Sequence, residues 1–324
     1  MRTFVTGVAG FVGRHLMRAL TVEGPADVHG ADHLAPNAIP EPEELQASLR
    51  SYRWLDVADG DAVRGAIRDL KPDQIIHLAA QASGAVSLER PAETYRVNAI
   101  GALNLLEAVR TEAPEATVLL VGSADIYGSG APGTKLDEAA PLAPRNPYAL
   151  SKAAQDMLGE LYAASYGLRV VRTRTFSHTG PGQSPRFAVA GFAWQLARVL
   201  EGDGPAEVRA GNLDVVREYG DARDVVRAYQ ALLESGEPGQ AYNVCTGHGY
   251  RLGDLLDRLI QVSGVRAAVV QDPARMRTRD ADHLVGDPEK LIRRTGWAPA
   301  IPIERTLLDL YRDARERVRH EAGR

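Results

Sequence analysis

Tyr148 and Lys152 stand four residues apart in the run Asn146-Pro147-Tyr148-Ala149-Leu150-Ser151-Lys152. A helix through that run puts both side chains on one face. A phenol can pass a proton to or from a carbonyl or alcohol oxygen while a hydride moves at the adjoining carbon. Its free pKa, about 10, is high for that task, and a neighbouring ammonium lowers it. Ser123 closes the apolar run TVLLV and adds a hydroxyl to the set. The lysine would also hold the ribose of a nicotinamide, the natural hydride carrier for such a pair. Tyr-x-x-x-Lys arises often by chance, so its meaning depends on the elements around it.

The first of these is at the N-terminus. A short strand at Arg2–Thr6 runs into TGVAGFVG, which spaces Gly7, Gly10 and Gly13 as G-x-x-G-x-x-G. The turn needs an unhindered backbone, a pyrophosphate must come close to the amides, and the following helix must pack on the strand. The helix start, with Phe11 and Val12, offers N–H groups and the positive end of its dipole to phosphate. About twenty residues on, Asp32 ends the second strand, where a carboxylate accepts hydrogen bonds from an adenosine ribose diol and repels a 2′-phosphate. His33, not an arginine, follows it, which favours NAD(H) over NADP(H). Asp56 and Val57 after a third strand, and the small turn Leu78-Ala79-Ala80 after a fourth, would line the adenine and phosphate path.

Strands and helices alternate to hold these groups. After Arg2–Thr6 comes a helix at Phe11–Glu23, then strands at Asp27–Ala31, Arg53–Val57, Gln74–Leu78, Thr117–Val121 and Arg169–Arg174. Helices lie between them, including Asn98–Arg110 and one that starts at Pro147 behind an Asn146 N-cap. This pattern predicts an α/β fold: a doubly wound, Rossmann-like parallel sheet with helices on both faces. Beyond Thr175 the rhythm changes, and a smaller C-terminal substrate domain is expected from 175–214 and 243–324. Residues 1–174 and 215–242 form the dinucleotide-binding domain, with Ala241–Val244 returning to the main sheet. The C-terminal YRDARERVRHEAGR mixes both signs and reads as a solvated helix.

Composition narrows the setting. The 324 residues suit two domains at about 150 each. Charged residues are 25% and hydrophobic ones 44%, which excludes a disordered or fibrous chain. The net charge of −4 gives no basic surplus for nucleic acid. No apolar run has membrane-spanning length, and the N-terminus reads as a strand, not a secretory signal. With one cysteine, Cys245, there is no intrachain disulfide. A cytoplasmic setting without membrane partners is expected. His15, His178 and His283 are too scattered to predict a metal site. Excess apolar positions on Asn98–Arg110 and on the helix after Tyr148 predict two buried faces, and so a homodimer at least.

Together TGVAGFVG, IIHLAAQ, YRVNAIGALNLLEA, VGSADIYG and NPYALSK resemble the extended short-chain dehydrogenase/reductases, over nearly the whole chain. That resemblance implies a nucleotide-sugar oxidoreductase with NAD or NADP in its Rossmann part. TFSHTGPGQSPRF, AGNLDVVREYGDARDVVRAY and AYNVCTGHGYRL resemble the GDP-mannose 4,6-dehydratase branch. Within it, QDPARMR and SADIYG are most similar to the GDP-6-deoxy-4-keto-D-mannose reductases, which form GDP-D-rhamnose. The resemblance implies a GDP-sugar substrate, with Arg217 and Arg277 on its diphosphate and Asp280 on its ribose or guanine. It also implies a sugar contact at Ser177-His178, where the family reads Asn-His. The shorter serine leaves the identity of the hexose open, and Thr175 likewise replaces a usual proline.

Two enzyme readings share Ser123, Tyr148 and Lys152. A 4,6-dehydratase also needs a base for the C5 proton and a donor for the leaving hydroxyl, usually with a Glu two residues after the serine. Here those positions are Ala124 and Asp125, and Asp is one methylene short. A reductase needs neither group, so reduction at C4 is the favoured reading, with Asp125 orienting the sugar. A 4-epimerase stays open. A cofactor-sensing binding protein on the same fold would typically lose the tyrosine or the lysine.

Overall fold

The computed structural model describes residues 1–21, 27–39, 42–276 and 282–323. Its central sheet contains β1 (Thr3–Thr6), β2 (Val28–Asp32), β3 (Ser51–Trp54), β4 (Gln74–His77), β5 (Thr117–Ser123), β6 (Arg169–Thr175) and a last strand, Ala241–Val244. From one edge the order is Ala241–Val244, β6, β5, β4, β1, β2, β3, and every pairing is parallel. The chain winds outward in both directions from the β1–β4 pair, so a crevice opens there at the carboxyl ends of the strands.

Helices cover both faces, which is why the central strands are nearly continuous apolar runs. Leu16, Ile76, Leu119, Val171 and Tyr229 fill one side, and Phe4, Ile75, Leu105, Val118 and Val170 the other. The expected third strand at Arg53–Val57 lies earlier, at Ser51–Trp54. Leu55 and Val57 are buried, but in the turn beyond it. Val57 packs against Gly101, where a Cβ would come within 2.7 Å of its methyl group. The first helix is described over Phe11–Thr21; its expected end at Glu23 lies outside the described residues. The helix expected from Asn98 begins as a π turn, Arg96–Ile100, and continues as Gly101–Glu112.

Helix Pro147–Tyr166 starts as its sequence dictates. The Asn146 side chain accepts a 2.8 Å bond from the Ala149 N–H, Pro147 occupies the first turn, and Gly167 ends it at φ 69°. Beyond β6, helices Ala188–Leu200, Leu252–Ser263 and Ile303–Glu321 enclose a second core around Leu196, Leu255, Leu307 and Leu310. The charged C-terminal helix is only partly solvated. Arg315 and Arg319 reach Glu201 at 2.8 and 2.9 Å, while Tyr311, Ala314 and Val318 are buried on its inner face. A small sheet joins Val216–Glu218 to Gly249–Arg251 and His283–Leu284.

Candidate functional site at the crevice of the sheet

The three glycines of the first loop do different work. Gly7 has φ +74°, and a Cβ there would lie 2.6 Å from the Ala79 nitrogen; any side chain would push β1 and β4 apart. A Cβ on Gly13 would stand 2.4 Å from the Val8 carbonyl oxygen, so this glycine lets the helix seat on the loop. Gly10 is exposed, with only the Gly7 carbonyl near its Cβ position, at 3.2 Å. It leaves backbone open toward the crevice, the condition a pyrophosphate needs. Val12 packs on the core, and Phe11 faces the second lobe.

Asp32 is buried at the end of β2. It accepts 3.0 and 3.2 Å bonds from the amides of Ala9 and Leu34, and His33 Nδ1 lies 2.9 Å from its Oδ1. Asp56 sits in the next turn, 2.8 Å from Arg96. Burial pushes its carboxyl up, but the Ala58 amide and Arg96 outweigh this and leave it below the ordinary value. Leu78, Ala79 and Ala80 follow β4 and are half-buried. The loop, Asp32 and the small turn therefore fit a dinucleotide on shape and charge.

Ser123, Asp125, Tyr148 and Lys152 meet at the ends of β5 and the Pro147–Tyr166 helix. Burial raises the Tyr148 phenol above its ordinary value, the Asp125 charge adds to this, and a hydrogen bond with Ser123 opposes it. The expected lowering by Lys152 is not the arrangement found. The lysine Nζ donates to the Val121 carbonyl at 2.9 Å and to Gln155 Oε1 at 2.8 Å, and burial pulls it down to about 7. Of this pair, the lysine is thus the one brought toward neutrality, while burial holds the phenol on its protonated side.

Sequence reading missed the groups behind this pair. Gln155 binds both Lys152 and the Val121 carbonyl; lying three residues after the lysine, it shares its helical face. Asn98 donates 2.9 Å to Ser151 Oγ and exchanges two bonds with the backbone of Gln81, locking the helix to the turn after β4. His77 is fully buried, with Nδ1 2.8 Å from Thr6 Oγ1. Its Nε2 has no hydrogen-bond partner among the described residues. Burial, with the Lys152 charge adding, pushes it down to about 3. Both Asn98 and His77 lie inside runs whose family likeness was plain, yet neither has a spacing that announces a role.

The residues expected at a substrate are drawn from farther apart. His178 stacks on Phe11 with ring centroids 6.1 Å apart, and His15 Nε2 lies 2.9 Å from the Pro181 carbonyl oxygen. The segment after β6 thus rests on the helix Phe11–Thr21. Ser177 is half-buried, and its carbonyl accepts from Gly220 at 2.9 Å. Thr175 bonds Tyr229 at 2.9 Å. Arg217 lies buried in the strand Val216–Glu218. Arg277 and Asp280 lie outside the described residues. Next to Arg217, Glu218 accepts from the amides of Thr246, Gly247 and Gly286 at 2.7, 3.1 and 2.8 Å. One carboxylate so ties three segments together. Among the described residues no cluster of three or more His, Cys, Asp or Glu could hold a metal ion. Cys245 is buried just past the last sheet strand.

This geometry agrees with what known proteins resemble the chain. It is 36% identical to a GDP-6-deoxy-D-mannose reductase of Pseudomonas aeruginosa over 99% of both chains. The solved structure of RMD from P. aeruginosa, complexed with NADPH, superposes with a TM-score of 0.83 at 34% identity, covering 98% of this chain and 99% of that one. A UDP-glucose 4-epimerase of Thermus thermophilus, complexed with NAD, gives 0.85 at 33%, covering 97% and 99%. The profile that spans residues 4–310 is that of GDP-mannose 4,6-dehydratase, and with the full-length likeness it places this chain in the GDP-mannose 4,6-dehydratase family.

Proposed function

We propose that this chain is an NAD(P)H-dependent reductase that converts the C4 keto group of GDP-4-keto-6-deoxy-D-mannose to the alcohol of GDP-D-rhamnose. The observation that carries this is the turn Ser123-Ala124-Asp125 against a protonated Tyr148. Ala124 is 1% exposed and can neither donate nor accept a proton through its side chain. The site therefore has a half-buried acid and a hydroxyl, which suffice for reduction, and only a short carboxylate where dehydration needs a base. The full-length similarity to the Pseudomonas reductase supports the same substrate.

A bound nicotinamide would supply the hydride. Tyr148 holds its proton at Oη and gives it to the C4 oxygen as negative charge develops there. Ser123 steadies that oxygen and the phenol. Lys152, held by Gln155 and Val121, faces the dinucleotide ribose. Gly7, Gly10, Gly13 and the start of the first helix take the pyrophosphate, Asp32 the adenosine ribose, and Asp56 and Leu78–Ala80 the adenine side. Asp32 gives NADH the advantage over NADPH. Residues 175–214 and 243–324 hold the GDP-sugar, with Ser177 and His178 at the hexose, Arg217 and Arg277 at the diphosphate and Asp280 at the nucleoside. The reaction belongs in the cytoplasm.

The chain acts as a homodimer. Ile100 on the π turn, with Leu150, Met157 and Leu161 on the Pro147–Tyr166 helix, are 46 to 62% exposed, a patch of the kind that a second copy covers. A monomeric mass by light scattering at micromolar concentration would refute this. For the activity, the protein is mixed with GDP-mannose, with and without a separate GDP-mannose 4,6-dehydratase, and reduced-dinucleotide absorbance is followed. Consumption only when the dehydratase is present supports reduction. A 4-keto-6-deoxy product formed without it identifies a dehydratase instead.

A further inference from the structure

Three buried charges join the two elements that carry the proposed acid and its hydroxyl partner. Arg174 on β6, Arg172 two residues before it and Asp156 are 3 to 6% exposed. Asp156 lies one turn beyond Lys152 on the helix Pro147–Tyr166. Arg174 donates to its two carboxylate oxygens, from Nε at 3.3 Å and from Nη2 at 3.0 Å. The remaining nitrogen, Nη1, donates to Tyr127 Oη at 3.0 Å and to the Glu138 carbonyl at 2.9 Å. Tyr127 closes the turn Ala124–Tyr127, which follows Ser123 and contains Asp125. Its hydroxyl donates in turn to Asn243 Oδ1 at 2.8 Å. Arg172 Nη1 donates to Asp156 Oδ2 at 2.7 Å, so the carboxylate is held from a second side.

A buried ion cluster is a weak source of stability, because desolvation offsets its attraction. What this one supplies is fixed geometry, since a guanidinium is planar and holds its donors in a rigid fork. Arg174 therefore sets the spacing between the helix that carries Tyr148 and Lys152 and the turn that carries Ser123 and Asp125. Ser123 and Tyr148 share a hydrogen bond, and a slip between helix and turn would open it. We propose that Arg174, gripping Asp156 and Tyr127 together, is a positioning residue that holds Ser123 against Tyr148 for proton delivery to the C4 oxygen. This rests on the proposed ketone reduction and requires no contact with substrate or dinucleotide. A misplacement of about 1 Å can cost on the order of 10²-fold in rate, so a lost grip shows in kcat and not in binding.

Tyr127→Phe keeps the ring and removes one hydroxyl from the clamp. With the 4-keto sugar and a reduced dinucleotide, kcat should fall about tenfold. KM for the sugar and equilibrium affinity for the dinucleotide should stay within about twofold. The same substitution made in Ser123→Ala should cost less than about twofold, because the contact that the clamp holds is already gone. Arg174→Lys, which keeps the charge but not the fork, should repeat both results with a larger first loss. Urea unfolding of each variant shows that it is folded under assay conditions. An equal loss of kcat in both backgrounds makes the clamp a support of the fold alone and overturns the proposal, as does no loss in either. An unmodified chain that leaves the 4-keto sugar unreduced overturns the reading beneath the proposal, and the proposal with it.

Discussion

The lobes proposed to hold the nucleotide and the sugar solve the same problem in opposite ways. In the first, the proposed ligand-facing groups sit at the carboxyl end of one sheet or in the first two turns of a helix beside it. Gly7, Asp32, Ala79, Ser123 and Tyr148 are brought together by strand order alone. In the second, the wall is knotted by long-range bonds. Glu218 reaches Thr246, Gly247 and Gly286. On the proposed function, chemistry is concentrated on the first side and recognition on the second. Substitutions should therefore separate cleanly into losses of kcat and losses of KM.

The largest loss belongs to the first lobe. Tyr148→Phe keeps the ring and removes the one proton that quenches the C4 oxygen, so kcat should fall about 10²- to 10⁴-fold. GDP-sugar affinity should barely move, because the hydroxyl matters most when charge develops. Lys152→Met should cost at least as much and should also weaken dinucleotide binding. Steady-state kinetics paired with equilibrium titration measure both, and near-full activity in Tyr148→Phe would put the proton donor elsewhere.

A second effect follows from the lowered lysine. With Lys152 brought down to about 7 and the phenol raised above its ordinary value, the lysine is the member of the pair that changes charge near neutrality. If its ammonium serves the ribose and the phenol, kcat/KM is full below about 7 and falls as pH rises through it, by about tenfold per pH unit. Lys152→Arg keeps its charge throughout, so whatever activity it retains should lose that limb. A wild-type profile flat from pH 6 to 9 would show that the lysine acts without its charge.

The sugar lobe should answer differently. Glu218→Gln keeps size but turns an NH₂ toward the Thr246 amide, leaving one buried donor pair unsatisfied. We expect about 1–3 kcal/mol of lost stability in urea unfolding. KM for the GDP-sugar should rise about tenfold, since Arg217 is the adjacent residue, while kcat at saturation stays within twofold. A fall in kcat without a change in KM would erase the contrast between the lobes.

The same contrast explains what could be read before the structure. The Rossmann order, the glycine loop, Asp32 and the Tyr148–Lys152 face are encoded by short spacings and by periodicity, and a chain-local pattern finds them. The third strand was misplaced because Leu55 and Val57 are apolar for the turn they fill, while Ser51–Trp54 is an exposed edge. The partners of Lys152, Gln155 and the Val121 carbonyl, have no signature in sequence, so the setting of the Tyr148–Lys152 pair could not be read there. Glu218 and the Asp156–Arg172–Arg174 cluster, paired at 2.7 and 3.0 Å, escaped entirely. A buried charge is recognisable only once its partners across the fold are known.

The smallest expected effect carries the finest distinction. Asp125 lies close enough to Tyr148 for its charge to raise the phenol, and its amide donates to Ser123 Oγ at 3.2 Å. Asp125→Asn preserves the side-chain shape and that backbone bond while removing the charge. The phenol then becomes a slightly stronger acid, and no step of ketone reduction needs the lost base. Reduction should stay within about tenfold of wild type, with any high-pH limb from Tyr148 shifted toward neutrality. A dehydratase has no such tolerance, since the C5 proton needs an acceptor and general base catalysis is worth about 10²- to 10⁴-fold. Assaying the variant with the 4-keto sugar and, separately, with GDP-mannose sets the two chemistries side by side. If ketone reduction collapses in Asp125→Asn, the short carboxylate takes part in proton transfer, and the division between a working acid and a merely neighbouring carboxylate is wrong.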